Sequence, residues 1–576
     1  MKFGGEVTWR PTAEVVERCR LKRFMNELHI ETLGQLLEQS LAEPEWFWPT
    51  VIEDLGIRFR HPFHQALDLS AGPPWAKWWS GGRMNIVDSC LGQQLEAGEG
   101  SRTAVIWEGE AGESRRLTYS ELNQEVGRLA GGLKSLGVGV GDRIGIFLPM
   151  VPETVIALLA GARLGAVLIP LFSGFGATAV AMRLQDQKAT VLLTADGFYR
   201  RGKLIAMKEV ADQAASLCPS LRHMVVLNRI GREVPWQPGR DWSWTELLSQ
   251  GTSETANLEL DPESPLMVIY TSGTTGQPKG TRHVHGGFPI KAAQDLAHGF
   301  DMGRDDLLFW FTDLGWMMGP WMIWGSLLLG GAMLLYEGSP DTPTPDRLWQ
   351  LIEKHRATIF GVSPTLVRSL ISQGSSPPQL PTLRVLGGTG EPWDPESFLW
   401  FQQQVGGGQL PVINYSGGTE ISGGILSGNL LTPQKAGSFA GPLPGMAADV
   451  LDAQGRSIRG EVGELVIRQP WPGMTRGFSG QPERYLDAYW SRFPGIWQQG
   501  DWACVDSDGL WYLLGRSDDT IKIAGKRLGP AEVESVLTAH RAVRESAAIG
   551  VPDPIKGEKL ACFVVLREGF SPIPEL

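Results

Sequence analysis

The stretch of this sequence best suited to chemistry runs from Tyr270 to Gly280 and reads Tyr-Thr-Ser-Gly-Thr-Thr-Gly-Gln-Pro-Lys-Gly. Glycines let main-chain N–H groups approach oxygen atoms closely, and Lys279 adds positive charge, so this composition favours a loop that wraps an oligophosphate. The alternative is an ordinary hairpin turn, which the length and composition of the stretch make the weaker interpretation. A Walker loop needs glycine directly before its lysine, and Pro278 stands there, which excludes the usual nucleotide triphosphatase fold.

Length and charge limit the class of protein. At 576 residues the chain is too long for one hydrophobic core, so we expect a large region of several subdomains and a smaller domain. A hydrophobic content of 42% and a charged content of 20% are typical of a soluble globular protein. The net charge of −11 argues against general nucleic-acid binding, because there is no basic surplus to neutralise phosphates. Anionic ligands must therefore be held by local groups.

The cysteines and the first ten residues indicate the cellular compartment of the protein. The cysteines are scattered and show neither metal-ligand spacing nor a disulfide-rich module: Cys19, Cys90, Cys218, Cys504 and Cys562. Residues 1–10 lack the apolar core of a signal peptide. We expect a cytoplasmic protein.

Strands and helices alternate from residue 101 onward. Thr118 and Glu121 have capping-box spacing, apolar residues recur at helical spacing from Leu122 to Leu136, and Gly137 follows them. A second helix is predicted over residues 152–164, and strands are predicted over residues 104–107, 143–148, 167–171 and 189–194. This order implies a parallel sheet covered on both faces, and therefore an α/β fold with doubly wound sheets.

The segment from Trp316 to Tyr336 carries no charge and is long enough to span a bilayer. Four glycines and Pro320 make it a poor single helix, and Asp313 lies just upstream. We therefore interpret it as buried core and expect no membrane span.

Several other short motifs occur at successive positions along the sequence. A basic turn, a glycine-rich strand end or an Arg-x-Asp-Asp turn is common when it occurs alone. Their combination and order make coincidence improbable. They are residues 78–86 (Trp-Trp-Ser-Gly-Gly-Arg-Met-Asn-Ile), 195–203, 386–392, 414–420 (Asn-Tyr-Ser-Gly-Gly-Thr-Glu), 499–501, 515–519 and 521–528.

Together with the loop, these motifs resemble the acyl-adenylate-forming superfamily, and most of all its acetyl-CoA synthetase branch, from about residue 46 to the last residues. The resemblance implies a ligase that uses ATP, Mg²⁺ and coenzyme A. A carboxylic acid would be activated to acyl-AMP with release of pyrophosphate, and the acyl group would then pass to coenzyme A. It also implies an N-terminal cap over residues 1–100, an adenylate-forming large domain over 101–516 and a small α+β domain over 517–576.

The resemblance assigns roles in adenylation. Thr419 would contact the α-phosphate, and Glu420 would bind Mg²⁺, a hard cation that prefers carboxylate and phosphate oxygen. The implied catalytic residues are Thr271, Thr274, Lys279, Thr419 and Glu420. The implied ATP- and AMP-binding residues are Ser272, Gly273, Thr275, Gly276, Gly390, Glu391, Pro392, Asn414, Tyr415, Ser416, Gly418, Asp501, Arg516 and Arg527. The branch commonly carries Asp at the position of Asn414.

It also assigns roles in acyl and coenzyme A binding. Asp518 would be the hinge before the small domain. Arg200 and Lys203 would hold the phosphorylated nucleotide of coenzyme A, and Gly525 would allow close approach of the pantetheine. Trp316, Met317, Met318, Thr389 and Gly417 would form the acyl pocket.

Gly417 bears on the choice of acid. Acetate-specific relatives place a tryptophan at this position, so we expect an acid larger than acetate: a short- or medium-chain, branched or oxo acid. The alternative is that a neighbouring side chain closes the gap and acetate remains the best substrate. Replacing Gly417 by Trp is expected to shift the preference toward acetate.

Two other functions stay open at this point. The chain could be a regulatory protein that binds acyl-adenylate without turnover, or an adenylation domain that feeds a carrier protein. In the superfamily the small domain continues past residue 576 to a Gly-Lys segment whose lysine assists adenylation. We therefore expect an incomplete small domain and slow adenylation by this chain.

Overall fold

The computed structural model describes residues 5–271, 278–517, 521–523, 526–528, 530–538, 540–553, 557–567 and 569–571. The N-terminal part is mainly helical. Trp78 and Trp79 are fully buried there, and Trp79 Nε1 donates a hydrogen bond of 2.8 Å to the carbonyl of Gly286. The elements of this part are β1 Val7–Trp9, α1 Ala13–Arg18, α2 Arg20–Glu27, α3 Leu33–Ala42, α4 Pro44–Asp54, β2 Gln65–Asp68, β3 Lys77–Ser80 and α5 Gln93–Glu96.

Strands and helices then alternate as the sequence predicts. The elements up to residue 300 are β4 Thr103–Gly109, β5 Ser114–Thr118, α6 Tyr119–Ser135, β6 Arg143–Ile146, α7 Pro152–Arg163, β7 Val167–Pro170, α8 Ala177–Gln187, β8 Val191–Ala195, β9 Phe198–Arg200, β10 Lys203–Ile205, α9 Met207–Leu217, β11 His223–Leu227, β12 Asp241–Ser243, α10 Trp244–Gln250, β13 Pro265–Thr271, β14 Lys279–Val284 and α11 Phe288–Gln294. The predicted capping box of α6 is confirmed, because Thr118 and Glu121 exchange side-chain to main-chain hydrogen bonds.

The alternation continues to residue 516. The elements are β15 Leu307–Trp310, α12 Met318–Leu328, β16 Ala332–Glu337, α13 Arg347–His355, β17 Ile359–Val362, α14 Pro364–Ser372, β18 Val385–Gly388, α15 Pro395–Trp400, β19 Val412–Gly418, β20 Gly423–Ser427, β21 Gln434–Lys435, β22 Gly441–Pro442, β23 Ala448–Leu451, β24 Gly463–Ile467, α16 Pro482–Trp490, β25 Trp497–Val505 and β26 Trp511–Arg516. The last elements are β27 Ile521–Ile523, β28 Lys526–Leu528, α17 Pro530–Thr538, β29 Val543–Asp553 and β30 Gly557–Leu566.

Two large sheets carry the fold. One has the strand order β12-β11-β8-β6-β7-β13-β14, and the other has the order β22-β20-β19-β18-β17-β15-β16-β4-β5. Their central strands run parallel, whereas β14, β20 and β5 join antiparallel at the margins. Helices connect the parallel strands, which confirms the predicted doubly wound α/β class. A four-stranded sheet, β28-β27-β30-β29, with helix α17 confirms a small α+β unit. The domain limits at residues 100 and 516 stay predictions.

The uncharged segment from Trp316 to Tyr336 folds as helix α12 and strand β16. The helix is fully buried, as expected, but Trp316 itself is 57% exposed, so the expectation of a buried segment is wrong at its first residue. Among the described residues, no helix combines the length and the hydropathy that a membrane crossing requires.

Candidate active site

The loop predicted to hold phosphate connects two antiparallel strands. Strands β13 and β14 pair so that Thr271 lies opposite Lys279. The two strands therefore form a hairpin, and a hairpin connection is compatible with a phosphate-binding loop. Ser272, Gly273, Thr274, Thr275 and Gly276 lie outside the described residues.

Lys279 begins β14 beside an aromatic cluster. Its Nζ atom lies 5.5 Å from the ring centre of Tyr489 and 5.7 Å from that of Phe478, within the range of cation–π attraction. Tyr489 in turn stacks on Trp497 with ring centres 4.2 Å apart. The aromatic cluster thus holds the ammonium group near the exit of the loop.

A cleft of about 1540 Å³ opens at the carboxyl ends of the parallel strands, where open α/β sheets bind their ligands. It brings together most of the predicted residues whose positions are described: Arg200, Trp316, Met317, Met318, Thr389, Gly390, Glu391, Pro392, Asn414, Tyr415, Ser416, Gly417, Gly418, Thr419, Asp501 and Arg516. Of the other described site residues, Thr271, Lys279, Glu420 and Lys203 are not among those that line it.

The Thr-Glu pair forms a single helical turn directly after β19. Thr419 faces the cleft, whereas Glu420 is only 8% exposed behind it. Gln499 holds the Glu420 carboxylate, since its Nε2 donates to Glu420 Oε1 at 2.9 Å. Trp497 Nε1 donates to Gln499 Oε1 at 2.9 Å, and because indole N–H is only a donor, this bond fixes which end of the amide faces Glu420.

The donor set at this turn fits a magnesium ion that is shared with phosphate. Glu420 Oε2 accepts no hydrogen bond from the residues that the structure describes, and Thr419 precedes Glu420 in the same helical turn. The described residues hold no group of three or more His, Cys, Asp and Glu side chains suited to a metal. Mg²⁺ commonly takes one or two carboxylates and completes its shell with phosphate oxygens and water, so Glu420 is the residue that would hold it.

Asp501 and Arg516 face each other on neighbouring strands. They are paired across β25 and β26, and Arg516 Nη1 lies 3.4 Å from Asp501 Oδ1. Both line the cleft. Their predicted joint role at a ribose stays a prediction.

The side chains of two predicted adenine-facing residues, Asn414 and Glu391, form hydrogen bonds with main-chain groups. Asn414 Nδ2 donates a hydrogen bond of 2.8 Å to the carbonyl of Gly437. The Glu391 carboxylate accepts a bond of 2.5 Å from Thr365 N in the first turn of α14 and pairs with Arg368 at 3.0 Å. These bonds shape the wall of the cleft.

Tyr415 requires a correction. Its side chain is 1% exposed, and its hydroxyl donates a hydrogen bond of 2.5 Å to Asp295 Oδ2 in the core. Burial and the nearby Asp295 raise the pKa of Tyr415 well above its ordinary value. The phenol is therefore not available to a nucleotide, and any contact would come from the main chain.

The acyl end of the cleft also departs from expectation. Gly417 lies opposite Gly424 in the β19–β20 pair, and a Cβ atom added to it would lie 1.8 Å from the carbonyl oxygen of Gly423. A tryptophan at this position would therefore require strand β20 to shift, because main chain occupies the direction of the side chain, and the expected effect of Gly417→Trp on the preferred acid stays a prediction. Met317, Met318 and Thr389 line the same cleft.

Two buried acids in the cleft wall were missed. Asp313 accepts hydrogen bonds from Ser173 Oγ at 2.6 Å and Gly315 N at 2.9 Å, and burial raises its pKa. Glu337 ends β16 and pairs with Arg229 at 2.8 Å, and burial, opposed by Arg229, raises the pKa of Glu337 to about 7. Both acids follow or end an apolar strand, and this position was the sequence signal that could have identified them.

A buried histidine that connects the two motifs was missed as well. His283 Nε2 lies 3.0 Å from Thr281 Oγ1, and His283 Nδ1 lies 3.0 Å from Ser422 Oγ. Burial lowers the pKa of His283 to about 3, so the ring is neutral at ordinary pH. The strand that leaves the loop is thereby joined to the turn that carries Thr419 and Glu420.

Arg200 and Lys203 lie side by side on the β9–β10 hairpin, which follows β8. They are a cross-strand pair, and both side chains are exposed. Arg200 lines the cleft with Arg201. Arg527 lies on β28, while Asp518 and Gly525 lie outside the described residues.

Comparisons with known proteins agree with this architecture. Residues 93–478 match the family "AMP-binding enzyme", residues 34–90 match "Acetyl-coenzyme A synthetase N-terminus", and residues 532–575 match "AMP-binding enzyme C-terminal domain". Acetyl-coenzyme A synthetase of Methanothrix thermoacetophila is 38% identical over 98% of this chain and 86% of that protein. The enzyme of the same name from Pyrobaculum aerophilum is 42% identical over 95% of this chain and 84% of that protein.

The solved structure of acetoacetyl-CoA synthetase from Streptomyces lividans superposes with a TM-score of 0.91 at 30% identity, covering 99% of this chain and 88% of that one. The chain therefore belongs to the AMP-binding enzyme family, as an AMP-forming acid–CoA ligase that works through an acyl-adenylate with ATP, Mg²⁺ and coenzyme A.

Proposed function

We propose that the acid this chain activates is larger than acetate, and that it is a short- or medium-chain, branched or oxo acid. The observation that carries this proposal is that Gly417 lines the cleft with bare main chain, so no side chain extends into the cleft from this position. Flexible methionines at 317 and 318 form part of the remaining wall and can adapt to an added methylene or carbonyl group.

Adenylation begins when a carboxylate oxygen of the acid attacks the α-phosphorus of ATP. A mixed anhydride forms as the bond to pyrophosphate breaks. In our proposal Thr271, Thr274 and Lys279 hold the leaving phosphates and Thr419 donates to the α-phosphate, where negative charge develops. Glu420 would hold Mg²⁺, which would neutralise the charge that develops there.

The rest of the cleft holds the nucleotide in place. We assign the ribose to Asp501 and Arg516, the adenine side to Gly390, Glu391, Pro392 and Asn414, and further nucleotide contacts to Ser272, Gly273, Thr275, Gly276, Ser416, Gly418 and Arg527. The Asp501 carboxylate has acceptor capacity for two ribose hydroxyls, and Arg516 keeps it oriented.

Thioester formation uses the other end of the cleft. The coenzyme A thiolate attacks the acyl carbon, the carbon–oxygen bond to AMP breaks, and AMP leaves with that electron pair. We assign the phosphorylated nucleotide of coenzyme A to Arg200 and Lys203, the pantetheine approach to Gly525, and the hinge to Asp518. The two cations on the hairpin match the charge of a phosphate.

Acetate is the second candidate. The relatives that are 38% and 42% identical are both named acetyl-coenzyme A synthetase. The structural neighbour is named for acetoacetate, a short oxo acid, which supports the first candidate.

Thioester formation with a panel of acids separates the candidates. We expect kcat/KM for butyrate, hexanoate or acetoacetate to exceed that for acetate, because each added methylene in a fitting apolar pocket contributes about 1–3 kcal/mol. An acetate optimum would refute the proposal and leave the acetyl-CoA synthetase assignment.

A further inference from the structure

Glu110 lies at the carboxyl end of β4 and binds main chain from two other parts of the fold. Its Oε2 accepts hydrogen bonds from Arg201 N at 2.9 Å and from Ser339 N at 2.8 Å, and its Oε1 accepts one from Gly202 N at 2.7 Å. Hydrogen bonds from N–H groups to a carboxylate are stronger than those between neutral groups. One side chain thus holds the tip of the β9–β10 hairpin against the end of β16.

The tip of that hairpin is a strained two-residue turn. Arg201 and Gly202 have φ angles of 52° and 67°, the left-handed conformation that tight hairpins need at both central positions. Glycine adopts it readily, whereas arginine does so at a cost and is kept there by its surroundings. Glu110 accepts from the N–H groups of both residues, so it stabilises this turn directly.

A second contact fixes the hairpin in the same place. Arg201 Nη2 pairs with Asp341 Oδ2 at 2.8 Å, and Asp341 is also held by Ser339 Oγ at 2.6 Å. The Arg201 side chain is therefore engaged with the segment that follows β16, while Arg200 and Lys203 flank the turn with exposed side chains. The hairpin belongs to the connections of one large sheet, and its anchors belong to the other.

We propose that Glu110 is a positioning residue for coenzyme A: it fixes the β9–β10 hairpin so that Arg200 and Lys203 present one preformed site to the 3′-phosphate of the nucleotide. The inference rests on the proposed coenzyme A role of those two cations. Without the three bonds only the ion pair of Arg201 with Asp341 would hold the tip of the hairpin, and part of the binding free energy would be spent on ordering it.

The test compares coenzyme A with dephospho-coenzyme A, which lacks only the 3′-phosphate. In Glu110→Gln one carboxylate oxygen becomes an NH₂ donor that faces a main-chain N–H, so the bonds cannot all form. We expect the ratio of kcat/KM for coenzyme A over dephospho-coenzyme A to fall about tenfold, the effect of losing a charge-assisted bond. ATP–pyrophosphate exchange, which needs no coenzyme A, should stay within about twofold of the parent and shows that the variant is folded.

Glu113→Gln is the matched control. Glu113 lies in the same β4–β5 connection and binds the side chain of Arg229 rather than the hairpin, so its loss removes the same charge and should leave the ratio unchanged. Arg200→Ala tests the assignment on which the inference rests and should lower the ratio as Glu110→Gln does.

Three other outcomes would contradict the inference, each at a different step of the argument. If Arg200→Ala lowers the ratio and Glu110→Gln does not, the coenzyme A site stands and the positioning role fails. If Arg200→Ala and Lys203→Ala both leave the ratio unchanged, the proposed coenzyme A site itself fails. A parallel loss of exchange in Glu110→Gln would mean that Glu110 supports the whole fold.

Discussion

Gln499 and Glu420 are joined by a hydrogen bond of 2.9 Å, although 79 residues separate them in the chain. Trp497 fixes the orientation of the Gln499 amide, so a buried amide N–H group holds the carboxylate. The acid assigned to magnesium therefore has a defined orientation before any ligand enters. This preorganisation is the kind of arrangement that lowers the cost of reaching a charged transition state.

Replacing Gln499 by Leu should slow adenylation. The carboxylate would lose a bond of a type that contributes roughly 1.5–3 kcal/mol, so we expect kcat for ATP–pyrophosphate exchange to fall about tenfold or more. Gln498→Leu is the control, since Gln498 lies on the same strand and donates to Glu464 at 3.2 Å instead. Equal exchange rates for the Gln499 and Gln498 variants would contradict the role given to Gln499.

Local sequence patterns predicted the strands and helices of the large sheets. The capping box at Thr118 and the buried apolar face of α6 involve neighbouring residues, so they can be recognised without knowledge of the fold. The parallel strands follow from the alternation of short apolar runs with helices. The motifs at residues 386–392 and 414–420 converge because the carboxyl ends of parallel strands meet at one edge.

Side-chain direction could not be predicted in the same way. Strand β19 is buried on both faces over its first four residues, so its sequence has no alternation that would show Tyr415 turning toward Asp295. The collision at Gly417 arises from a main-chain atom of the next strand. Gln499 and His283 act through contacts distant in sequence, which no local spacing reveals.

Gly417→Ala should destabilise the protein whichever acid is present. The added Cβ would lie 1.8 Å from the Gly423 carbonyl oxygen, so strand β20 must shift. We expect a loss of about 1–3 kcal/mol, seen as a lower Tm. Gly176→Ala is the control, because a Cβ there meets nothing within 4 Å. A Gly417→Ala variant with the parent Tm and an improved preference for acetate would show that a side chain at this position can fill the pocket.

Because of Glu337, the stability of the folded protein should depend on pH above the range in which a glutamate ordinarily titrates. Burial raises the pKa of Glu337 from 4.5 to about 7 against the attraction of Arg229. A raised pKa means that the folded state binds the proton more tightly, so stability present below pH 4.5 is lost as pH rises through about 7. The full loss is about 3.5 kcal/mol at most, because a tenfold difference in proton affinity between the folded and unfolded states corresponds to about 1.4 kcal/mol.

Comparing the parent with Glu337→Gln isolates this effect, because Gln does not titrate. The Tm of the parent relative to the variant should fall between pH 5 and pH 8. A difference that stays constant over that range would show that Glu337 is ionised throughout.

The most direct test of the central claim is exchange of radiolabelled pyrophosphate into ATP by the parent and by Glu420→Ala, with and without each carboxylic acid. We expect exchange in the parent to require an acid and to be highest for an acid larger than acetate. We expect Glu420→Ala to lose roughly 3 kcal/mol or more of transition-state stabilisation, about a hundredfold in rate. Binding of ATP and acid without exchange, or a Glu420→Ala variant that exchanges like the parent, would contradict the claim.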